Sequence, residues 1–233
     1  MSSLLKVCND FQTILFHISL RQLVVYESSL FLAAAYGIPE QVTAVAAQIL
    51  PSSMLKPGYK ASSSESIPRE ITLFLILIHH LSLGARSTSS LQWLVAAIAH
   101  PSVSHSLSGE RLHWLQQVRL AWRFGNYYAI WNLTSIKKLE DLLRDILSPG
   151  IKGRREKAAI TAEIEVFRRH MRNTAWSVMK AAYREENELW LLRSLSLLPE
   201  DVGWISEKQK LQEALLVAGE PPRWKVYKSK NPN

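Results

Sequence analysis

The side chains with most to offer chemically are seven histidines, at positions 17, 79, 80, 100, 105, 113 and 170. Metal binding and acid–base catalysis need such groups gathered with carboxylates or thiolates at short spacing. That gathering is missing. His79 and His80 are adjacent, so a helix turns them ~100° apart and one ion does not suit both. His100 and His105 flank an expected loop, and HExxH is absent. GxGxxG, GxxxxGK[ST] and GxSxG are absent as well, so a phosphate cradle and a nucleophile turn are both lacking. Glu185-Glu186 falls among basic residues at an expected helix end, where solvation accounts for it. The expectation is a non-enzyme with no catalytic residue, cofactor, metal or small-molecule substrate.

The basic residues are more informative. Net charge is +8, of which +3 falls in residues 1–150 and +5 in residues 151–233. Lys152, Arg154, Arg155 and Lys157 cluster ahead of an expected long helix. Arg168, Arg169 and Arg172, with Lys180, are expected on the outer face of that helix. There, like charges three and four apart repel by a few tenths of a kcal/mol. Arg223, Lys225, Lys228 and Lys230 interleave with Trp224 and Tyr227, a pattern suited to phosphate contact plus base stacking. A solvated basic tail is the plain alternative.

The elements that must position these residues read as helices in pairs. Residues 4–36 carry Leu23, Val24, Leu30, Phe31 and Ala34 on one stripe, and Gly37-Ile38-Pro39 stops them. A helix over 40–50 follows, with Pro39 and Glu40 in its first turn and Val42, Val45 and Ile49 inward. Residues 51–69 hold three prolines, a glycine and a serine cluster, which predicts an exposed loop. Residues 70–83 are apolar almost all round, so that helix is expected to be buried on every side. A short helix over 91–99 and a Ser/His loop over 101–109 come next.

Residues 112–133 then make a helical hairpin. Leu112, Leu115, Val118 and Trp122 recur at helical spacing, Gly125-Asn126 turns the chain, and Tyr127, Tyr128, Ile130 and Trp131 resume the pattern. Ile136, Leu139, Leu142, Leu143, Ile146 and Leu147 stripe a helix capped near Thr134 or Ser135. A helix over 155–185 has Ile160, Ile164, Phe167, Met171, Ala175, Val178 and Ala182 inward. Short helices are expected over 189–198 and 207–218. After Pro221-Pro222, the stretch from Arg223 alternates with a strand-like period of two. Helix, turn, helix and basic strand is the outline of a winged-helix module, with a helical tail as the alternative.

Length and composition set the frame. A chain of 233 residues with 47% hydrophobic residues can bury a sizeable core. Cys8 is its only cysteine, so no disulfide forms within one chain, in keeping with a reducing compartment. No signal peptide is read, and the apolar runs 14–36 and 71–78 are interrupted or too short to span ~30 Å of bilayer. A soluble intracellular protein without membrane contact is expected.

Four segments in order resemble a known family: YESSLFLAAAYGIPEQ at 26–41, EITLFLILIHHL at 70–81, VRLAWRFGNYYAIWNL at 118–133 and MRNTAWSVMKAAY at 171–183. Together they look like the GANP-type (SAC-three/GANP) PCI-domain scaffolds of nuclear mRNA export. The motif residues are Tyr26-Glu27, the Gly125-Asn126-Tyr127 turn, and Arg172 leading to Ala182-Tyr183. The usual aromatic pair after the turn is Ile130-Trp131 here, and little of the basic segment upstream of Tyr26 is present.

The resemblance implies a mostly α fold in which stacked helical-hairpin, TPR-like repeats (1–185) lead into a C-terminal winged-helix subdomain with a basic tail (186–233). It implies a non-catalytic nuclear scaffold that pairs with a second PCI-domain protein, with a small acidic protein clasping the partner. Its basic winged helix would meet RNA or DNA through Lys208, Lys210, Arg223, Lys225, Lys228 and Lys230. The rivals are a PCI subunit of a proteasome-lid, signalosome or initiation-factor complex without nucleic acid, and a pure helical interaction module.

Overall fold

A computed structural model describes residues 20–50, 68–84, 87–182, 185–187, 191, 195, 202–211, 214–217 and 223–226. These are mostly helical. In chain order the helices are α1 (Leu20–Ala35), α2 (Pro39–Ile49), α3 (Glu70–Gly84), α4 (Thr88–Ala99), α5 (Pro101–Ser104), α6 (Gly109–Arg123), α7 (Tyr127–Leu133), α8 (Ile136–Leu143), α9 (Gly150–Ala182) and α10 (Val202–Lys210). Strands β1 (Glu185–Asn187), β2 (Ala214–Val217) and β3 (Arg223–Val226) form one antiparallel sheet in the order β1-β3-β2. Among the described residues no helix is long and apolar enough to cross a membrane.

Two hairpins close by the same local chemistry. At the end of α1, the Ile38 N–H donates to the Ala33 carbonyl at 2.9 Å and the Gly37 N–H to Ala34 at 3.1 Å. At the end of α6, Asn126 donates to Ala121 at 2.8 Å and Gly125 to Trp122 at 3.0 Å. This paired closure satisfies the last carbonyls of a helix and needs a left-handed residue, which Gly37 (φ 68°) and Gly125 (φ 63°) supply. The Asn126 side chain then accepts from the Ala129 N–H at 3.0 Å and caps α7. Trp114 anchors the hairpin from inside: its indole donates to the Leu133 carbonyl at 2.8 Å and its ring meets Phe74 edge-on at 5.6 Å.

The main core collects buried side chains from α1 to α8 and from α9 as far as Met171. Helix α3 lies at its centre, buried on every side as its apolar sequence requires; even His79 is fully enclosed. Pro39 and Glu40 open α2 as expected, and Ser135 caps α8 through the Lys138 N–H. Helix α9, 33 residues and ~50 Å long, runs along α1 and α3 and then passes into a second core. That second core joins Ala175, Trp176 and Met179 to Leu191, Leu195, Ile205, Ala214, Trp224 and Val226.

Several expectations are corrected. Val24 is 56% exposed, because the buried face of α1 is centred on Leu23, Glu27, Leu30, Phe31 and Ala34. Val178 and Ala182 are exposed, since the second core draws Trp176 and Met179 inward instead. Ile136 is exposed on α8. The Ser/His stretch after Pro101 is not all loop: proline, pre-set for a first helical turn, opens the short α5. Helix α9 starts at Gly150 rather than Arg155. Glu185 lies in β1, not at a helix end. The helix read over 207–218 ends at Lys210, and Ala214–Val217 is a strand. Leu211 and Leu215 mimic helical spacing, yet both are exposed and the chain pairs with β3 instead. Residues 4–19, 51–67 and most of 189–198 lie outside the described residues.

Two outcomes test this packing. Gly125→Val puts a β-branched residue at φ +63°, where nothing crowds a Cβ more closely than 4.0 Å, so backbone strain alone should lower stability by ~1 kcal/mol or more. Thermal unfolding checks it; an unchanged midpoint would mean that the turn does not need a left-handed residue. The second concerns His80, which stacks on Trp93 with ring centroids 3.7 Å apart. Burial, and secondarily the neighbouring His79, push its pKa down to about 4. The unfolded chain therefore binds a proton first, and folding stability should fall as pH drops from ~6.5 to ~4. His80→Phe keeps the stack and should flatten that part of the stability–pH curve.

Candidate nucleic-acid interface

The basic C-terminal residues are positioned by the small sheet. Its period of two sends Trp224 and Val226 into the second core and leaves Arg223 and Lys225 on the opposite face. Strand β3 is central. Lys225 lies across from Glu185 on β1 and from Leu215 on β2, while Arg223 lies across from Asn187 and Val217. The outer face is thus amphoteric rather than purely cationic: two cations share it with the Glu185 carboxylate and the 45% exposed Leu215.

Lys208 and Lys210 occupy the last turn of α10, where cations suit the partial negative charge of a helix end. Helix α10 inserts Ile205 into the same core as Trp224 and Val226, so it covers the inner face of the sheet. The sheet therefore separates the Lys208/Lys210 pair from the Arg223/Lys225 pair. Lys208 Nζ sits 5.2 Å from the centroid of the Trp204 ring, a cation–π contact that holds it against its own helix. Lys228, Lys230 and Tyr183 lie outside the described residues.

Arg168 and Arg172, expected on an outer face, are buried at 3% and 5% exposure. Both approach Glu165, with the Arg168 and Arg172 guanidinium nitrogens each 3.6 Å from a carboxylate oxygen. Arg172 Nε also donates to the Leu195 carbonyl at 3.3 Å, and its guanidinium lies 6.0 Å from the Trp204 ring centroid. Trp176 meets Trp204 edge-on at 5.3 Å. A buried guanidinium needs this many partners, because an uncompensated buried charge is costly. Arg172 thus ties α9 to α10 and to the segment at Leu195, and it is not available to a ligand phosphate. Tyr127, from the aromatic hairpin, packs against both cores. Burial raises the pKa of its phenol.

Of the other motif residues, Gly125 and Asn126 adjoin Tyr127, whereas Tyr26 and Glu27 lie on α1. Glu27 is buried on α1, where Oε1 accepts from the Thr72 hydroxyl at 2.7 Å and the Arg69 N–H at 3.1 Å, and Oε2 accepts from Arg69 Nε at 2.7 Å. Arg69 also donates to Glu156 of α9 at 2.6 Å. Tyr26, Gly125 and Asn126 have packing or turn roles. Arg69 falls in the segment read as an exposed loop; only its charge beside two buried carboxylates betrays its role. The signal for burial of Arg172 was its place in the apolar stripe with Phe167, Met171 and Ala175.

Searches with protein-family models and against curated proteins return no match.

Proposed function

We propose that this chain is a non-catalytic, PCI-type scaffold subunit of a nuclear complex that couples transcription or mRNA processing to mRNA export. In this reading stacked helical hairpins lead into a winged helix that pairs with a second PCI protein and contacts RNA or DNA. The observation that carries it is the arrangement of the C-terminal unit. Among the described residues a strand, helix α10 and two further strands come in that order after the long helix α9, and the last strand lies between the other two. This order, with the last strand in the middle of the sheet, supports the winged-helix reading. The glycine-closed hairpins of α1–α2 and α6–α7 support the helical-repeat part.

A protein-only assembly of lid, signalosome or initiation-factor type is the second reading. It is favoured by the outer sheet face, where Glu185 opposes Lys225 and the exposed Leu215 lies beside them. That leucine suits a protein partner better than a phosphate backbone.

Mobility-shift titration of the purified protein, alone and with a PCI partner, separates the two. The nucleic-acid reading predicts a complex at low salt, weakened by Arg223→Gln plus Lys225→Gln, with the salt slope reduced by about 1 for each phosphate no longer neutralised. Glutamine is preferred to glutamate at 225, since a carboxylate there would face Glu185 across the strands and weaken the sheet itself. No binding at low salt, or binding indifferent to the double variant, would leave the protein-only assembly.

A further inference from the structure

At the opposite end from the sheet, α1 and the first two turns of α9 border a groove of about 340 Å³ beside Arg69. Its apolar wall is Val24, Phe31, Leu32 and Ile151, of which Val24, Leu32 and Ile151 are exposed. On α1, Val24 and Leu32 stand one above the other at two-turn spacing, with the Ser28 hydroxyl between them. An exposed apolar stretch of this kind, ~12 Å long, matches about two turns of a short helix better than a compact small molecule.

The charges of the groove decide the sign of its occupant. Both carboxylates that line it are already engaged: Glu27 by Arg69 and Thr72, Glu156 by Arg69 and Ser148. Burial would raise the Glu156 pKa, but the hydrogen bonds from Ser148 and Arg69 hold it below the ordinary carboxylate value, so it stays charged and committed to Arg69. The two cations on the rim, Lys152 and Arg155, are exposed and have no ion-pair or hydrogen-bond partner among the described residues. They also stand in the opening turns of α9, which hold no acidic residue in the first turn and where a positive charge opposes the helix dipole. The unspent charge of this apolar groove is therefore positive.

We propose that the groove docks a short acidic amphipathic helix of a partner protein. Its aliphatic side chains would seat on Val24, Leu32 and Ile151, and its carboxylates would meet Lys152 and Arg155. The site is independent of the basic sheet and of the nucleic-acid reading.

The test is a helix-biased peptide display selection on the full chain, counter-selected against Lys152→Glu/Arg155→Glu, followed by fluorescence anisotropy with the enriched peptides. Expected are peptides with aliphatic residues at i and i+3 or i+4 beside Asp or Glu. Their binding should weaken at least tenfold in the double charge variant and in Val24→Asp, and weaken from 0.05 to 0.5 M NaCl on the order expected for a screened interaction. All the substituted positions are exposed, so unchanged thermal unfolding should accompany the weaker binding. No enrichment, enrichment of neutral or basic peptides, or equal binding by the charge variant would overturn the proposal. So would sedimentation showing that a second copy of the chain occupies this face.

Discussion

Buried charge has to be answered inside the protein, and the answers found here set how the helices meet. Glu27 of α1, Glu156 and Glu163 of α9 and Arg111 of α6 are all almost fully enclosed. Each closes a junction between elements distant in sequence. Arg69 bridges Glu27 to Glu156 and so binds α1 to the start of α9 beside the entrance to α3. Arg111 joins Glu70 at the start of α3 to Asp145 after α8, and donates to the Leu142 carbonyl at 2.9 Å. Glu163 lies 3.1 Å from His79 and accepts from Ser82 at 3.1 Å, fixing α9 across the middle of α3. Arg69 with Glu156, and Glu163 with His79 and Ser82, pin the 33-residue α9 to α1 and α3 at two points, so buried charge joins apolar packing in setting its register.

Once α9 is registered, its far end is committed. The second core begins at Ala175 on the same helix, so the small sheet is carried at a set distance from the main core, and Arg172 holds α10 against it. Close approach at the other end has the same consequence: a Cβ on Gly153 would come within 1.8 Å of the Ser148 carbonyl, which is how the chain turns tightly enough to bring Ser148 onto Glu156. The groove at the start of α9 and the amphoteric sheet beyond its end are thus positioned by the same braced helix.

Much of this was legible in the residues. The uniform apolarity of 70–83, the glycine stops at 37 and 125, the proline start of α2 and the alternation of Trp224 and Val226 each have a local cause, and local causes can be read from sequence. What could not be read were long-range satisfactions. The burial of Arg172 depends on Leu195 and Trp204 as well as on nearby Glu165, and nothing near 172 announces the two distant partners. Val24 looks like a core residue until a buried Glu27 shifts the inward face of α1. Residues 211–217 carry helical spacing, and only their pairing with β3 decides for a strand. The candidate site was legible as residue types and not as a surface: Arg223 and Lys225 do share a face, whereas Lys208 and Lys210 lie across the sheet from them.

The claim that buried charge sets the register of α9 is tested most directly by a mutant cycle on Arg69. Arg69→Met leaves two enclosed carboxylates without their cation and should cost ~3 kcal/mol of unfolding free energy in denaturant titration. In the background Glu27→Gln plus Glu156→Gln the same change should cost far less, giving a coupling of ~1–3 kcal/mol. Costs that simply add would contradict the account.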